Sequence, residues 1–277
     1  QYDAIELFNP NTNDVNIGYW YLSDSRTVPK KYCIPAGTVI TSGTYMVFDA
    51  QQFNPNPGVD PSFGLSEYGD EVYLYSADAS SNLTGYSDSV IFGASHVGNA
   101  FRRYTISTGE NQFPLESTNT LGMLNAEPRI GPVVISKIHY NPLPGWDEFI
   151  ELKNITSNAV FLYDSEYPTN TWKINGIGFD FPTNIQIAAT GTLLVVAGDP
   201  GTFRTNNTIP AEVPIFGPYP GILENSGEMI QLMEPGKPDI LTNEITHLPY
   251  EYVPYIVVDE VRYNDRIPWP LSPDGMG

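Results

Sequence analysis

The sequence predicts an all-β protein that contains two copies of one domain. No window sustains the apolar i, i+3, i+4, i+7 spacing of an amphipathic helix over about eleven residues. Short β-type runs recur instead, separated by Gly, Pro, Asn and Asp. A set of sequence matches between the two halves keeps the same order throughout. The 24 Gly and 25 Pro in 277 residues agree with many turns between short strands.

Two kinds of run predict the strands. Residues 71–75 and 229–233 alternate between apolar and polar side chains, which is typical of a strand with one buried face. Residues 45–48 and 193–196 are continuously apolar, as in the core of a sandwich. Many short strands at close spacing favour a β-sandwich or a barrel.

The internal matches identify the repeat. Residues 4–9 match residues 149–154, which places Glu6 opposite Glu151, and Trp20 then matches Trp172. The later matches, in order, are Ile34-Pro35 with Phe181-Pro182, residues 43–47 with 191–195, residues 69–74 with 227–232, and residues 88–90 with 259–261. The offset rises from 145 to 171, which predicts loop insertions in the second copy, where a β fold tolerates them.

The repeat predicts a first domain at residues 1–128 and a second at 129–277. Residues 132–142 read as a strand and turn ahead of the second copy, so the first domain is expected to lack its first strand. Residues 101–106 follow the first copy and have no counterpart in the second, which is expected to lack its C-terminal part. We expect a fragment of a longer array, or chains that complete each other by strand addition.

The charge balance excludes two classes of partner. Lys and Arg number 13 against 32 Asp and Glu, a formal net charge of −19 at pH 7, although only 16% of residues are charged. Nucleic-acid binding needs clustered basic side chains, and only Lys30-Lys31 and Arg102-Arg103 are adjacent here. The same deficit disfavours anionic membranes, and no apolar run approaches the about 20 residues of a membrane span. We therefore expect no nucleic acid and no membrane insertion.

Side chains that carry enzymatic chemistry are sparse and scattered. The single cysteine, Cys33, excludes an intrachain disulfide and cysteine-based metal sites, and we interpret it as a small buried residue. His96, His139 and His247 form no HxH or HExxH pattern, and His139 is expected on a strand surface. The sequence predicts no catalytic, cofactor-binding or metal-ligating residue, and no enzyme.

Carboxylates leave one alternative open. Glu6 and Glu151 share a repeat position, where we expect a solvated face or a hydrogen bond to a loop. The acidic pairs Asp70-Glu71 and Asp147-Glu148 lie at turns, and oxygen ligands of this kind suit Ca²⁺. No D-x-[DN]-x-[DN]-G loop is present. The prediction is therefore no cofactor, with Ca²⁺ kept as the alternative.

The aromatic residues divide into two groups. Trp20 and Trp172 recur at one repeat position, which favours core packing. Tyrosine occurs 18 times, and Tyr73 and Tyr75 fall on outward positions of a predicted strand. Exposed tyrosine with Asn and Ser nearby suits protein or carbohydrate contacts, and it is also common on β-sandwich surfaces.

Several of these segments together resemble the lamin tail domain. Residues 134–142 and 147–154 resemble its opening strand, V-I-S-E-I-x-Y-N-P, followed by D-E-x-I-E-L-x-N. The Ile34-Pro35 and Phe181-Pro182 turns resemble its F-P-x-G-T-x-I-x-x-G segment. Residues 269–275 resemble the P-W-P-x-x-x-D-G close of bacterial members, a pattern absent from the first copy. The resemblance implies two tandem immunoglobulin-like β-sandwiches, a bacterial extracellular or cell-surface location, and an attachment role without shared catalytic residues.

The sequence as a whole predicts a non-enzymatic binding or spacer module of a larger secreted or cell-surface bacterial protein, with a protein or glycan partner. One alternative is a structural subunit of a surface lattice or filament, in which neighbouring copies pair through edge strands. The other is a hydrolase-associated domain with a site at its loop tips, which requires carboxylates or histidines to converge in a pocket.

Overall fold

The computed structural model of the protein describes residues 3–267 and residue 269. Within these residues the two helices have only four and seven residues, and the other regular elements are strands. This confirms the all-β prediction. None of the described helices has the length and apolar character needed to cross a bilayer. The chain divides into a first unit, Gln1–Arg129, and a second unit, Ile130–Gly277. The resemblance at residues 270–275 lies outside the described residues.

From residue 3 onward, the first unit contains two small paired sheets, one four-stranded sheet and one hairpin. Its elements are β1 (Ala4–Phe8), β2 (Val15–Asn16), β3 (Tyr21–Ser23), β4 (Tyr32–Cys33), β5 (Val39–Ile40), β6 (Tyr45–Asp49), α1 (Ala50–Phe53), β7 (Gly69–Ala77), β8 (Leu83–Gly93), β9 (Tyr104–Thr105) and β10 (Asn111–Gln112). β1 pairs with β6, β2 with β5 and β9 with β10, while the larger sheet has the order β4-β3-β7-β8. Ile5 and Phe48 of the β1–β6 pair share one apolar core with Leu22 and Val72 of the larger sheet.

Up to residue 267, the second unit contains two four-stranded sheets and two paired sheets. Its elements are β11 (Val133–His139), β12 (Phe149–Asn154), β13 (Val160–Phe161), β14 (Lys173–Asn175), β15 (Phe179–Asp180), β16 (Gln186–Ile187), β17 (Thr192–Val196), α2 (Pro200–Asn206), β18 (Ile215–Phe216), β19 (Met229–Pro235), β20 (Asp239–Thr242), β21 (Pro249–Tyr252) and β22 (Tyr255–Arg262). The larger sheets have the orders β11-β12-β17-β18 and β15-β14-β19-β22. Ile150 and Leu193 of one sheet share a core with Ile174 and Leu232 of the other.

The strand pairings of the two units correspond. The pairs β1–β6 and β2–β5 have counterparts in β12–β17 and β13–β16, and β4-β3-β7-β8 has its counterpart in β15-β14-β19-β22. The second unit adds β11 outside β12, β18 outside β17, and the hairpin β20–β21 between β19 and β22. The late rise in the sequence offset is therefore explained by a hairpin as well as by loops.

The backbone hydrogen bonds show that one of the sequence matches is displaced by one residue. The backbone N–H of Asn9 donates to the carbonyl of Thr44, and that of Asn154 donates to the carbonyl of Gly191. Thr44 thus corresponds to Gly191, and the predicted match of residues 43–47 with 191–195 is wrong by one residue. The left-handed residue of this turn is Gly43 in the first unit, with φ 68°, and Thr190 in the second, with φ 52°.

A buried asparagine closes the same loop in both units. Asn9 and Asn154 are 3% and 0% exposed, so their amides must find partners inside the protein. The Nδ2 of Asn154 donates to the carbonyl oxygens of Asn158, Ile187 and Ala188, at 2.7, 3.1 and 2.9 Å. The amide therefore ties the loop after β12 to the end of β16.

Candidate functional site

The outer face of the sheet β4-β3-β7-β8 carries two neighbouring tyrosine rings. Val72 of β7 is buried in the core, so Tyr73 and Tyr75 point to the opposite face. Across the pairing with β8, Ser89 lies opposite Tyr73 and Ser87 lies opposite Tyr75, and both serines are exposed. We call Tyr73, Tyr75, Ser87 and Ser89 the tyrosine face.

The two tyrosine rings of this face are stacked and held in place. Their centroids are 5.7 Å apart and their planes differ by 11°. The Tyr73 hydroxyl donates to Oε2 of Glu71 at 2.5 Å, and this hydrogen bond is the main cause of a raised Tyr73 pKa. A half-exposed aromatic pair thus lies beside a carboxylate and two hydroxyls.

The equivalent positions of the second unit have different chemistry. Gln231 and Met233 of β19 correspond to Tyr73 and Tyr75. The Nε2 of Gln231 donates to Glu260 at 3.0 Å, and its Oε1 accepts from the Nδ2 of Asn175 at 2.9 Å. The stacked tyrosines are therefore a property of the first unit and not of the shared pairing scheme.

The three histidines occupy different environments. His96 follows β8, and His247 lies in the turn between β20 and β21 with φ 55°. His139, on β11, is half-buried rather than on the strand surface as expected, because its ring packs edge-on against Phe149 at 5.1 Å. In residues 3–267 and 269, no group of three or more His, Cys, Asp or Glu is placed to hold a metal ion.

Cys33 is exposed, so its interpretation as a buried residue was wrong. It lies at the end of β4, opposite Tyr21. The neighbouring Ile34 is 0% exposed and takes the inward direction. Alternation along the chain therefore turns the cysteine outward.

One carboxylate of each acidic pair accepts hydrogen bonds from residues of its own unit. The Oε2 of Glu148 accepts from the Tyr219 hydroxyl and from the Leu223 N–H, both at 3.0 Å. Burial, followed by the charge of Glu148, raises the Tyr219 pKa far above its usual value. The carboxylate of Asp70 accepts from the N–H of Ser66 at 3.0 Å. These carboxylates stabilise turns of their own units.

Glu6 and Glu151 have different partners despite their shared repeat position. The Glu6 carboxylate accepts from the N–H of Gly122, which is the hydrogen bond to a loop that the sequence predicts. Glu151 accepts from the Ser136 hydroxyl at 2.8 Å and from Nζ of Lys137 at 3.2 Å, both on β11. Burial raises the pKa of Glu6, and the Gly122 N–H opposes this shift.

The expected core packing of the two tryptophans is complete for Trp172 and partial for Trp20. Trp172 is 4% exposed and belongs to the core of the second unit. Trp20 is half-buried against the core of the first unit, and its ring lies 5.5 Å from that of Tyr86.

A surface depression of about 490 Å³ lies along the hairpin β20–β21. Its lining includes a single carboxylate, Glu244, with Leu241, Ile245 and Tyr250 among the other residues. It does not combine carboxylates with a histidine, which is what a hydrolytic site at the loop tips would need.

The chain belongs to the class of all-β proteins, and one sheet of its first unit carries a half-exposed aromatic pair. No family model, no curated protein and no solved structure matches it.

Protonation of His139 is expected to make the protein less stable as the pH falls. Burial lowers the His139 pKa, with Lys137 adding to this effect and Glu148 opposing it. The unfolded chain therefore binds the proton more readily, and stability is lost as the pH falls through the ordinary histidine value of about 6.5 toward the lower folded-state value. Urea unfolding at pH 7.5 and 5.5 should show a smaller pH effect in His139→Gln. An equal effect in both proteins would refute this role, and His96→Gln is the control.

Proposed function

We propose that the chain is a non-enzymatic binding or spacer module of a larger secreted or cell-surface bacterial protein. In this proposal each unit is an immunoglobulin-like β-sandwich of lamin-tail type. The sharing of one core by two sets of paired strands within each unit supports the sandwich. The net charge of −19 agrees with a partner other than nucleic acid or an anionic membrane.

The tyrosine face is the structural feature that most directly supports the proposed binding function. Tyrosine supplies contact area at a low cost in conformational entropy, because its side chain has only two rotatable χ angles. The stack and the hydrogen bond to Glu71 restrict the rings further. A ring face can pack against the C–H groups of a sugar, while Ser87 and Ser89 provide hydroxyls for its polar edge. We therefore propose a surface glycan as the ligand of this face.

Replacing the two tyrosines by their second-unit counterparts tests this proposal. We expect the double variant Tyr73→Gln, Tyr75→Met to bind glycans at least about tenfold more weakly, a loss of about 1.4 kcal/mol. The variant loses the two ring faces. It is expected to fold, because Gln and Met are the residues that β19 carries at the corresponding positions. The measurement is binding to an array of bacterial surface glycans, followed by calorimetric titration of the best ligand.

Tyr250→Gln is the matched control, because Tyr250 is a 45% exposed tyrosine in the second unit. This variant should bind like the unsubstituted chain. The proposal fails if no glycan binds, if the double variant retains the affinity, or if the bound glycan is hydrolysed.

A further inference from the structure

A loop of the first unit lies at the rim of the tyrosine face. Ser23, the last residue of β3, pairs with Tyr73 and therefore has its side chain on the same side of the sheet. It is nevertheless 0% exposed, because the chain that follows it folds back over it. The Ser23 hydroxyl bonds to the carbonyl oxygens of Val28 and Ser25 at 2.7 and 3.2 Å. Residues 24–31, which we call the rim loop, therefore border the tyrosine face beside Tyr73.

Internal bonds hold the rim loop in a defined conformation. The N–H of Ser25 donates to the Ser23 hydroxyl at 3.0 Å, and the hydroxyl oxygens of Ser25 and Thr27 lie 3.1 Å apart. Nζ of Lys31 lies 2.5 Å from Oδ1 of Asp24, so an ion pair joins the two ends of the loop. The loop therefore presents its outward side chains at a fixed place beside the tyrosine rings.

The outward side chain next to Tyr73 is Arg26, which is exposed. Among residues 3–267 and 269, its guanidinium has no hydrogen bond and no carboxylate in ion-pair contact, whereas Arg103 is paired with Asp88. The hydrogen bond to Glu71 is the main cause of the raised Tyr73 pKa, and the positive charge of Arg26 opposes this shift. The guanidinium is thus within electrostatic reach of the Tyr73 hydroxyl and is available to a ligand.

The polar groups around the rings suit a sugar that also carries an acid. The guanidinium of Arg26 can bind a carboxylate through two parallel N–H···O bonds, which is the geometry that arginine favours. One oxygen of Glu71 already accepts from Tyr73 at 2.5 Å, which leaves the other as an acceptor for a sugar hydroxyl. Ser87 and Ser89 add hydroxyls on the far side of the rings. The face therefore combines ring surface, acceptors for hydroxyls and one cation.

We propose that the glycan bound by the tyrosine face contains a carboxylated sugar of the uronic acid class, which packs on Tyr73 and Tyr75 and pairs its carboxylate with Arg26. This inference rests on the glycan-binding function proposed above and adds the charge of the ligand. The net charge of −19 opposes extended anionic surfaces, which face the charge of the whole protein. A single carboxylate beside Arg26 responds mainly to local charges, because charges beyond about 8 Å are largely screened at physiological salt.

Removing either charge of the proposed pair tests the inference. The glycan array and the calorimetric titration described above give the best ligand, and chemical reduction converts its carboxylates into neutral hydroxymethyl groups on the same rings. The unsubstituted chain should bind the acidic form at least about tenfold more tightly than the reduced form. Arg26→Gln should lose at least about tenfold for the acidic form and nothing for the reduced form, because the two charges act only together. The variant should fold, since Arg26 is exposed.

Lys30→Gln is the matched control. Lys30 is exposed in the same loop, and the substitution removes the same charge, but Lys30 acts on Asp78 rather than on Tyr73. Its affinity for the acidic form should stay within about twofold of the unsubstituted chain. An equal loss in Lys30→Gln and Arg26→Gln would overturn the inference, because net charge rather than a contact would then govern binding.

Two further results separate this inference from the proposed function. If a glycan binds and the Tyr73→Gln, Tyr75→Met variant loses it, but Arg26→Gln binds normally, the tyrosine face is a glycan site and the acidic sugar is wrong. A best ligand that carries no carboxylate, or whose only acid is a phosphate, leads to the same conclusion. If no glycan on the array binds the unsubstituted chain, both the proposed function and this inference fail.

Discussion

Replacing Asn154 with Asp is expected to lower the free energy of unfolding by at least about 3 kcal/mol. The side chain is 0% exposed, and its Nδ2 donates to three carbonyl oxygens. Aspartate has nearly the same shape, so no cavity forms. Its ionised carboxylate has no hydrogen to donate and places negative oxygen atoms against those carbonyls in a site that water does not reach.

Urea unfolding at neutral pH measures this loss. Asn158→Asp is the control, since Asn158 is exposed on the same loop and carries the same change of charge. The control should lie within about 0.5 kcal/mol of the unsubstituted protein. Equal midpoints for the two variants would show that the Asn154 amide does not hold this loop.

Strand positions were predictable where burial is one-sided. The alternation in residues 71–75 reports directly that Val72 and Leu74 face a core, and β7 indeed spans this run. The same alternation places Tyr73 and Tyr75 on the outer face, so the members of the candidate site could be read from the sequence. Their stacking and the hydrogen bond to Glu71 could not, because these depend on rotamers.

The register of β17 was not predictable from matched glycines. The sequence match aligned Gly43 with Gly191, but the left-handed backbone position belongs to Thr190 in the second unit. A threonine there is held by the surrounding contacts: its N–H donates to the carbonyl of Thr156. Tertiary hydrogen bonds override the local preference, and only the three-dimensional structure reveals them.

The sequence around α2 contains a local helix-start signal, although the helix is too short to show a helical periodicity. Asp199 caps its N-terminus by accepting from the N–H of Thr202 at 2.8 Å, and Pro200 opens it. Its one buried residue, Phe203, covers Leu194 and Val196 on the outer side of β17. This cover explains why β17 is continuously apolar.

The side chains that anchor β11 in the second unit could not be assigned from the repeat. Sequence comparison pairs Glu6 with Glu151 and Asp88 with Asp259. Only the structure shows that Glu151 and Asp259 bind the same strand, from opposite sheets. The two anchors lie on β12 and β22, which are distant in sequence, so no local pattern records them.

Gly227→Ala is expected to destabilise the second unit by about 3 kcal/mol. Gly227 lies in the turn before β19 with φ 102°, a backbone conformation that costs an L-residue about 1–2 kcal/mol. A Cβ at this position would lie 2.5 Å from the carbonyl oxygen of Tyr263 and 2.7 Å from the Cα of Asn264. Both contacts are with backbone, so the neighbouring strand end must move, at a further cost of about 1–3 kcal/mol.

Gly85→Ala separates these two contributions. Gly85 has φ 99°, but nothing lies within 4 Å of an added Cβ, so only the backbone term of about 1–2 kcal/mol should appear. Gly69 is the counterpart of Gly227 in the first unit, with φ 110° and a Cβ position 2.8 Å from the Phe92 oxygen, and its alanine variant should behave like Gly227→Ala. Urea unfolding of the three variants gives the comparison. If Gly227→Ala loses no more stability than Gly85→Ala, the close approach of the two strands at this turn is not a source of strain, and the repeated glycine serves only its left-handed backbone.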